Sequence, residues 1–336
     1  MTPLRTAIIG CGQFAHRHAQ RLAALDDIQL VGFCNHHIEK AVAFNEEYAG
    51  GRAQVYEDYA RMYQELDLDL VYIILPPFAH GNEVELACEH GVHLFIEKPI
   101  ALTLEKAKSM AEAVKSSGVK SQVGYLMRFG EAVQRLKSLA QAGGPNPSGL
   151  LSATYSCNSL HAPWWRDKSK SGGQLFEQLT HLFDLARFFF GEPALVYAMQ
   201  ENMFHRDMAD YTVDDASGTI IRFQSGAMAV ISASNGAIPN RWDYQMRVVL
   251  SQITADIENA NHAVFHHTDR DWPATTTIVS EKDILLAETL DLLAAIREDR
   301  PAAIPMEEGL KTLLLGIAAI QSAEQGQPVE MSSFGM

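Results

Sequence analysis

The sequence predicts an α/β protein: an N-terminal doubly wound parallel sheet, then a C-terminal α+β domain on a largely antiparallel open sheet. Three observations predict it. A short apolar strand from Thr6 to Ile9 runs into Gly10, Gly12 and Ala15, spaced G-x-G-x-x-A, and then into an amphipathic helix. Buried-looking apolar runs alternate with helical patterns over the first third of the chain. Past the breaker cluster Gly143–Gly149 the pattern changes to closely spaced strands with few helices. The boundary is placed at 124/125, giving domains 1–124 and 125–336.

In the first domain, helix 13–25 follows the glycine turn, with Leu22 and Leu25 at helical spacing. Strand 29–34, helix 38–48 closed by Gly50-Gly51, strand 54–56 and helix 58–65 come next. Leu70-Val-Tyr-Ile-Ile-Leu75 is a buried strand stopped by Pro76-Pro77. Helix 80–90 ends at Gly91, and strand 92–96 runs into Glu97-Lys98-Pro99. Helix 103–117 and strand 122–125 complete the alternation. In the second domain, helix 131–142 precedes strands at 150–157, 195–202, 217–223, 227–234, 244–250 and 253–259. Gln224-Ser-Gly226 reads as a hairpin turn between two of these. One long helix, 175–190, interrupts the strands, and helices 281–298 and 307–324 close the chain.

At 336 residues the chain can bury two cores, and 47% hydrophobic with 20% charged residues is ordinary for a globular protein. A formal net charge of −14 argues against nucleic-acid or anionic-membrane partners. No apolar run reaches the ~18 residues of a membrane span, and no separate signal-peptide core precedes the first strand. Cys11, Cys34, Cys88 and Cys157 show no C-x-x-C spacing. Reduced thiols and a cytoplasmic location are expected.

The glycine turn suits a dinucleotide. Gly10 permits a tight turn, Gly12 lets backbone approach a pyrophosphate, and the amides of the helix start face the anion. Ligands of such sheets bind beyond the carboxyl ends of the strands. Gly10, Gly12, Gln13, Phe14, Asn35, His36, Leu75, Pro76, Pro77, His80, Glu97 and Lys98 lie at those ends or start the helices that follow, and are the expected cofactor contacts. Where an acidic residue usually holds the ribose hydroxyls, this chain has Asn35, then His36 and His37. Asn35 does not repel a 2′-phosphate, so NAD and NADP both stay open.

Two constellations carry proton chemistry. Lys98, at a strand end on the cofactor edge, can hydrogen-bond a substrate hydroxyl or act on a neighbouring base by its charge; the alternative is a solvated lysine. Glu177 and His181 stand four apart in an apolar helix, with Asp184 three further on. A histidine, with an ordinary pKa of ~6.5, suits proton transfer near neutrality, and a carboxylate one turn away can orient it. The alternative is a satisfied core histidine. The spacing supplies no further ligand pair, so no metal is expected. His161-Ala-Pro-Trp-Trp-Arg166 forms an aromatic, basic loop suited to a polyhydroxylated or carboxylated substrate, the alternative being a packing loop; Arg128, Trp164, Trp165 and Arg166 are the expected substrate contacts.

Taken together, Gly10–Ala15, Pro76-Pro77 with His80, Gly91–Pro99, Gly172–Asp184 and Ala295–Pro301 resemble the Gfo/Idh/MocA oxidoreductases, the glucose–fructose oxidoreductase and inositol dehydrogenase family. The resemblance implies an NAD(P)-dependent oxidoreductase with an N-terminal Rossmann domain, acting on a secondary alcohol of a sugar, cyclitol or related polyol. By motif position Lys98 matches the family's catalytic lysine and His181 its acid/base histidine. Glu177 stands where many members have Asp. The resemblance also implies a homodimer or homotetramer associating through the second domain's sheet. Two other readings are a cofactor-retaining glycosidase or lyase that oxidises transiently, and a non-catalytic NAD(P)-sensing protein.

Overall fold

The computed structural model describes residues 2–142, 148–269 and 271–335. Positions 143–147 of the predicted breaker cluster lie outside these. The chain divides into two compact units, 1–124 with 285–310, and 125–284 with 311–336.

The first unit is a six-stranded parallel sheet. Its elements are β1 (Leu4–Ile9), α1 (Ala15–Ala23), β2 (Ile28–Cys34), α2 (Ile38–Ala49), β3 (Gln54–Tyr56), α3 (Tyr59–Glu65), β4 (Leu70–Ile73), α4 (Glu83–Glu89), β5 (His93–Ile96), α5 (Leu104–Ser117) and β6 (Ser121–Val123). The strand order is β3-β2-β1-β4-β5-β6. All its described strand pairs run parallel. The apolar runs are short because both faces are covered, as parallel sheets require. Ala7, Ile8 and every residue of β4 are fully buried. The order reverses between β1 and β4, so the crevice at that switch point lies beyond Ile9 and Ile73.

The segment 285–310 differs from the expectation that 125–336 forms one piece. It returns because its apolar face belongs to the first core. Leu292, Leu293, Ala295 and Ala302 pack in one cluster with Ile8, Phe33, Tyr72 and Phe95. Backbone then stitches it to β6: Val123 N–H donates to Ile304 O at 2.9 Å, and Met306 N–H to Ser121 Oγ at 3.0 Å.

The second unit holds α6 (Glu131–Ala142), β7 (Gly149–Cys157), the short helices α7 (Pro163–Arg166), α8 (Lys168–Ser171) and α9 (Gln174–Glu177), and α10 (Thr180–Phe190). Helix α11 (Ile284–Arg297) and the start of α12 (Met306–Gln325) fall in the returning segment of the first unit, and the rest of α12 in the second. The second unit's further strands are β8 (Pro193–Glu201), β9 (Ala216–Phe223), β10 (Met228–Ser234), β11 (Trp242–Leu250), β12 (Ile253–Asn259), β13 (His262–His267), β14 (Ala274–Ile278) and, after α12, β15 (Val329–Glu330). They form a nine-stranded sheet in the order β14-β13-β12-β11-β7-β10-β9-β8-β15. Only β7–β10 is parallel among the described pairs. Buried and exposed residues alternate along β9 and β10, so one face is core. Helices α6 and α10 pack on the sheet. Exposed apolar side chains, Leu150, Ile220, Met228, Val230 and Val249, come from its central strands.

The predicted single helix 175–190 is two helices. Gln174 O accepts from both Gln178 N–H and Leu179 N–H, each at 3.1 Å, so the ladder widens by one residue before α10 begins. Such widened turns concentrate at functional sites. Gln178 and Leu179 keep right-handed helical backbone angles, so α10 continues the course of α9 after one widened turn, with Glu177 on one side of it and His181 on the other. No helix of the described residues is long and apolar enough to cross a membrane.

Candidate functional site

The dinucleotide-facing edge of the first unit is built by backbone. Gly10 N–H donates to Cys34 O at 2.9 Å, Ile74 N–H to Ile9 O at 2.8 Å, and Glu97 N–H to Ile73 O at 2.9 Å. These bonds bring the ends of β1, β2, β4 and β5 to one carboxyl edge. At Gly10 the backbone takes φ +94°, and a Cβ there would lie 2.2 Å from Ile74 O. Only glycine fits. Gly12 is the opposite case: it is exposed, and a Cβ would meet no atom within 4 Å. That open approach to backbone is what a pyrophosphate needs. Helix α1 carries no side-chain cap and no acid in its first turn, so its amides are not pre-empted by a carboxylate. The residues fit a nicotinamide dinucleotide.

Gly12→Val is therefore expected to keep the wild-type melting temperature within about 1–2 °C, since nothing is displaced, while weakening dinucleotide binding at least about tenfold. Calorimetric titration alongside a melt checks it; unchanged affinity would remove Gly12 from the site.

Asn35 serves the turn. Its Oδ1 accepts from Cys11 N–H at 3.0 Å and its Nδ2 donates to His37 O at 3.0 Å. It ties the glycine loop to the β2–α2 corner, leaving one amide hydrogen and one lone pair for a ribose. His36 is exposed beside it. Leu75 and Pro76 are half-buried and Pro77 is buried. The His80 ring is buried, with Nδ1 2.5 Å from Glu83 Oε1, and its Nε2 has no partner. Burial opposes ionisation of Glu83, but the His80 contact and the Gly81 amide hold its carboxyl below the ordinary value.

Glu97, expected among the cofactor contacts, is turned inward. It is 6% exposed, Oε1 lies 2.8 Å from His18 Nε2, and Oε2 accepts from Lys98 N–H at 3.1 Å. A Cβ on Gly124 would sit 2.8 Å from that carboxylate, so glycine makes its room. Glu97 holds the backbone that carries Lys98 rather than reaching outward. The Lys98–Pro99 bond is cis, and Lys98 is half-buried.

In the second unit, His181 is half-buried, edge-on to Tyr125 with ring centroids 6.2 Å apart. Tyr125 is anchored to Thr180 through a 2.8 Å hydroxyl bond. Glu177 is half-buried, and its Oε2 accepts from Trp165 Nε1 at 2.9 Å. Trp165 packs with Tyr211 and Val213, and Trp164 lies partly buried against that cluster. The His161 ring lies tilted against Trp165, centroids 4.1 Å apart, and its backbone stands at φ +55°, a region that non-glycine residues seldom occupy. Burial pushes its pKa down to about 4, so its ring is neutral near pH 7.

Two expected substrate contacts have inward duties. Arg128 is buried and bidentate to Asp184, at 2.8 and 2.6 Å, with its charge over the Phe188 ring. Arg166 spends its guanidinium on Leu160 O, His161 O and Asp210; it pins its own loop. Both corrections have one cause: a guanidinium near a carboxylate or a bare carbonyl is satisfied within the fold. Asp184 is likewise committed to Arg128 and Thr312. Arg128→Met strands a buried carboxylate and is expected to cost about 3–5 kcal/mol, read as a fall in denaturation midpoint; an unchanged midpoint would contradict the pairing.

Residues that sequence reading passed over are His18, Glu83 and Gln178. His18 recurs one turn into α1, a helical-spacing signal that points to the β5 end only once the sheet is folded. Gln178 Nε2 approaches His161 Nε2 at 3.0 Å, which has no sequence signature.

Residues 4–125 match a model described as an oxidoreductase family with an NAD-binding Rossmann fold, and residues 133–256 match the GFO/IDH/MocA C-terminal domain. A myo-inositol 2-dehydrogenase of Thermotoga maritima is 26% identical over 335 residues, covering 98% of each chain. A D-glucoside 3-dehydrogenase of Escherichia coli is 28% identical over 256 residues, 69% of this chain and 70% of that one. In fold, the chain is similar to a levoglucosan dehydrogenase solved with NADH and L-sorbose, at TM-score 0.88 and 22% identity over 98% of this chain and 99% of that one.

Proposed function

This chain belongs to the GFO/IDH/MocA family of NAD-binding oxidoreductases, and from that membership we propose that it transfers a hydride reversibly between NAD or NADP and a secondary alcohol of a sugar, cyclitol or related polyol. The observation that carries the reading is the switch-point edge of the first unit, where an open Gly12, an obligatory Gly10 and the Glu97-braced Lys98 share one sheet edge. Relatives named for inositol and glucoside oxidation support the substrate class.

The bound dinucleotide supplies the hydride acceptor. Gly10, Gly12, Gln13 and Phe14 hold its phosphates, with Asn35 and His36 toward the ribose. Lys98 hydrogen-bonds the reacting hydroxyl and favours its deprotonation by charge. His181 takes the hydroxyl proton as the carbinol C–H leaves with its electron pair, so a ketone remains. Glu177 stabilises the charged imidazole. Trp164 contacts the substrate. A sensor has no use for the proton-handling set, and a glycosidase would cleave a bond without net nicotinamide reduction. Screening sugars and cyclitols against both dinucleotides, following reduced-nicotinamide absorbance, tests this reading; the expected result is sustained reduction with at least one polyol, and no net reduction across the panel would count against it.

The protein assembles as a homodimer or homotetramer through the exposed sheet face. Ile220, Met228 and Val230 form an apolar patch there that a lone chain would leave in water. Replacing Ile220 and Val230 by Lys is expected to yield a monomer in sedimentation, whereas an unchanged assembly would place the contact elsewhere.

A further inference from the structure

We propose that Trp165 is a positioning residue of the reaction, acting through a hydrogen bond from its indole N–H to Glu177. The inference rests on the reading of Glu177 as the carboxylate partner of proton transfer.

Four observations converge. First, Glu177 is the last residue of α9, directly before the widened turn, where the regular four-residue ladder is interrupted and a contact from outside the helix can fix the carboxylate. Second, Trp165 Nε1 donates to Glu177 Oε2 at 2.9 Å, and Trp165 is 3% exposed, which places this bond in a low-dielectric setting where it is strong. Third, Trp165 is itself braced. The His161 ring lies tilted against it with centroids 4.1 Å apart, and Tyr211 meets it edge-on at 6.2 Å. Fourth, the brace is held at backbone cost. His161 stands at φ +55°, with its carbonyl bonded to Arg166 Nη2 and its N–H to Ser159 Oγ. Strained residues of this kind persist where surroundings over-determine them, commonly at active sites. Gln178 Nε2 donates to His161 Nε2, which leaves the ring proton on Nδ1. The loop 161–166 thus sets a carboxylate by packing and one N–H.

Three groups feel the Glu177 charge. Tyr155 and Cys157 on β7 are pushed up by burial, Cys157 to about 11, and His161 is pushed down to about 4. All three are neutral around pH 7. Lys168 of α8 is paired with Asp214 at 2.8 Å. A donor to a carboxylate favours its charged form, so removing the donor makes Glu177 easier to protonate.

The test compares Trp165→Phe, which keeps an aromatic ring and deletes the N–H, with Trp165→His, which restores a ring N–H, and with Glu177→Gln. Trp165→Phe is expected to lower kcat about ten- to hundredfold with KM changed less than about twofold, and to move the acid limb of the kcat profile to higher pH. Trp165→His recovers part of kcat. Should Trp165→Phe fail to fold, benzothienylalanine at position 165 keeps the indole shape without the N–H and takes its place. A folded Trp165→Phe enzyme with wild-type kcat and an unmoved acid limb, beside an inactive Glu177→Gln, would overturn this inference alone. Glu177→Gln turning over like wild type would instead sink the reading of Glu177 on which it rests.

Discussion

Replacing Lys98 with Met is expected to lower kcat by about 10²–10⁴-fold while dinucleotide affinity stays within about threefold. Methionine keeps the length and apolar stem of lysine and deletes the charge and its three donors. The backbone at Gly10 and Gly12, proposed above to hold the phosphates, is not touched by the change. The segment itself is fixed from below, because Glu97 accepts the Lys98 N–H and is in turn paired with His18. The loss should therefore be one of chemistry rather than of fold, and a melt of the variant close to that of wild type would accompany it. Equal losses of turnover and cofactor affinity would contradict the assignment and move Lys98 into the cofactor-binding set.

His181→Asn is the second large effect, again about 10²–10⁴-fold in kcat. Asparagine retains a hydrogen-bonding group of similar reach and cannot take up the hydroxyl proton. Two consequences separate this from a packing defect. The acid limb of the pH–rate profile, which reports loss of the neutral base, should flatten in the variant. Raising the pH should recover part of the rate, since hydroxyl deprotonation then needs less help. Combining His181→Asn with Lys98→Met should cost much less than the product of the single losses, because groups that serve one proton transfer fail together. Fully multiplicative losses would place the two residues in separate steps.

Much of this was legible in the residues. The β1–turn–α1 segment declared itself through a buried apolar run followed by glycines at φ-critical spacing, and both are local properties. Lys98 and His181 stood out as candidates because each carries a titratable group at the end of, or inside, an otherwise apolar run. What was not legible depends on long-range partners. Arg128 meets Asp184 56 positions later, and the Arg166 guanidinium reaches Asp210 and two carbonyls; a free-looking charge in sequence says nothing of such pairing. The break between α9 and α10 contains no Gly or Pro. The Gln174 side chain there bonds Asn235 and Ser217, so distant strands fix the turn. Strands β13 and β14 escaped because they approach the sheet's edge: β14 is Ala274-Thr-Thr-Thr-Ile278, too exposed to show an apolar alternation. The return of 285–310 to the first unit escaped for the same reason, since an apolar helix does not state which core it completes.

The destination of the hydride distinguishes this reaction most directly. A polyol that the enzyme oxidises, deuterated at its carbinol carbon, should deliver the label to the reduced nicotinamide in wild type, with transfer falling in step with turnover in Lys98→Met and His181→Asn. Mass analysis of the recovered dinucleotide reads it. A reduced dinucleotide without label, or label lost to water while the alcohol is consumed, would contradict the proposed reaction.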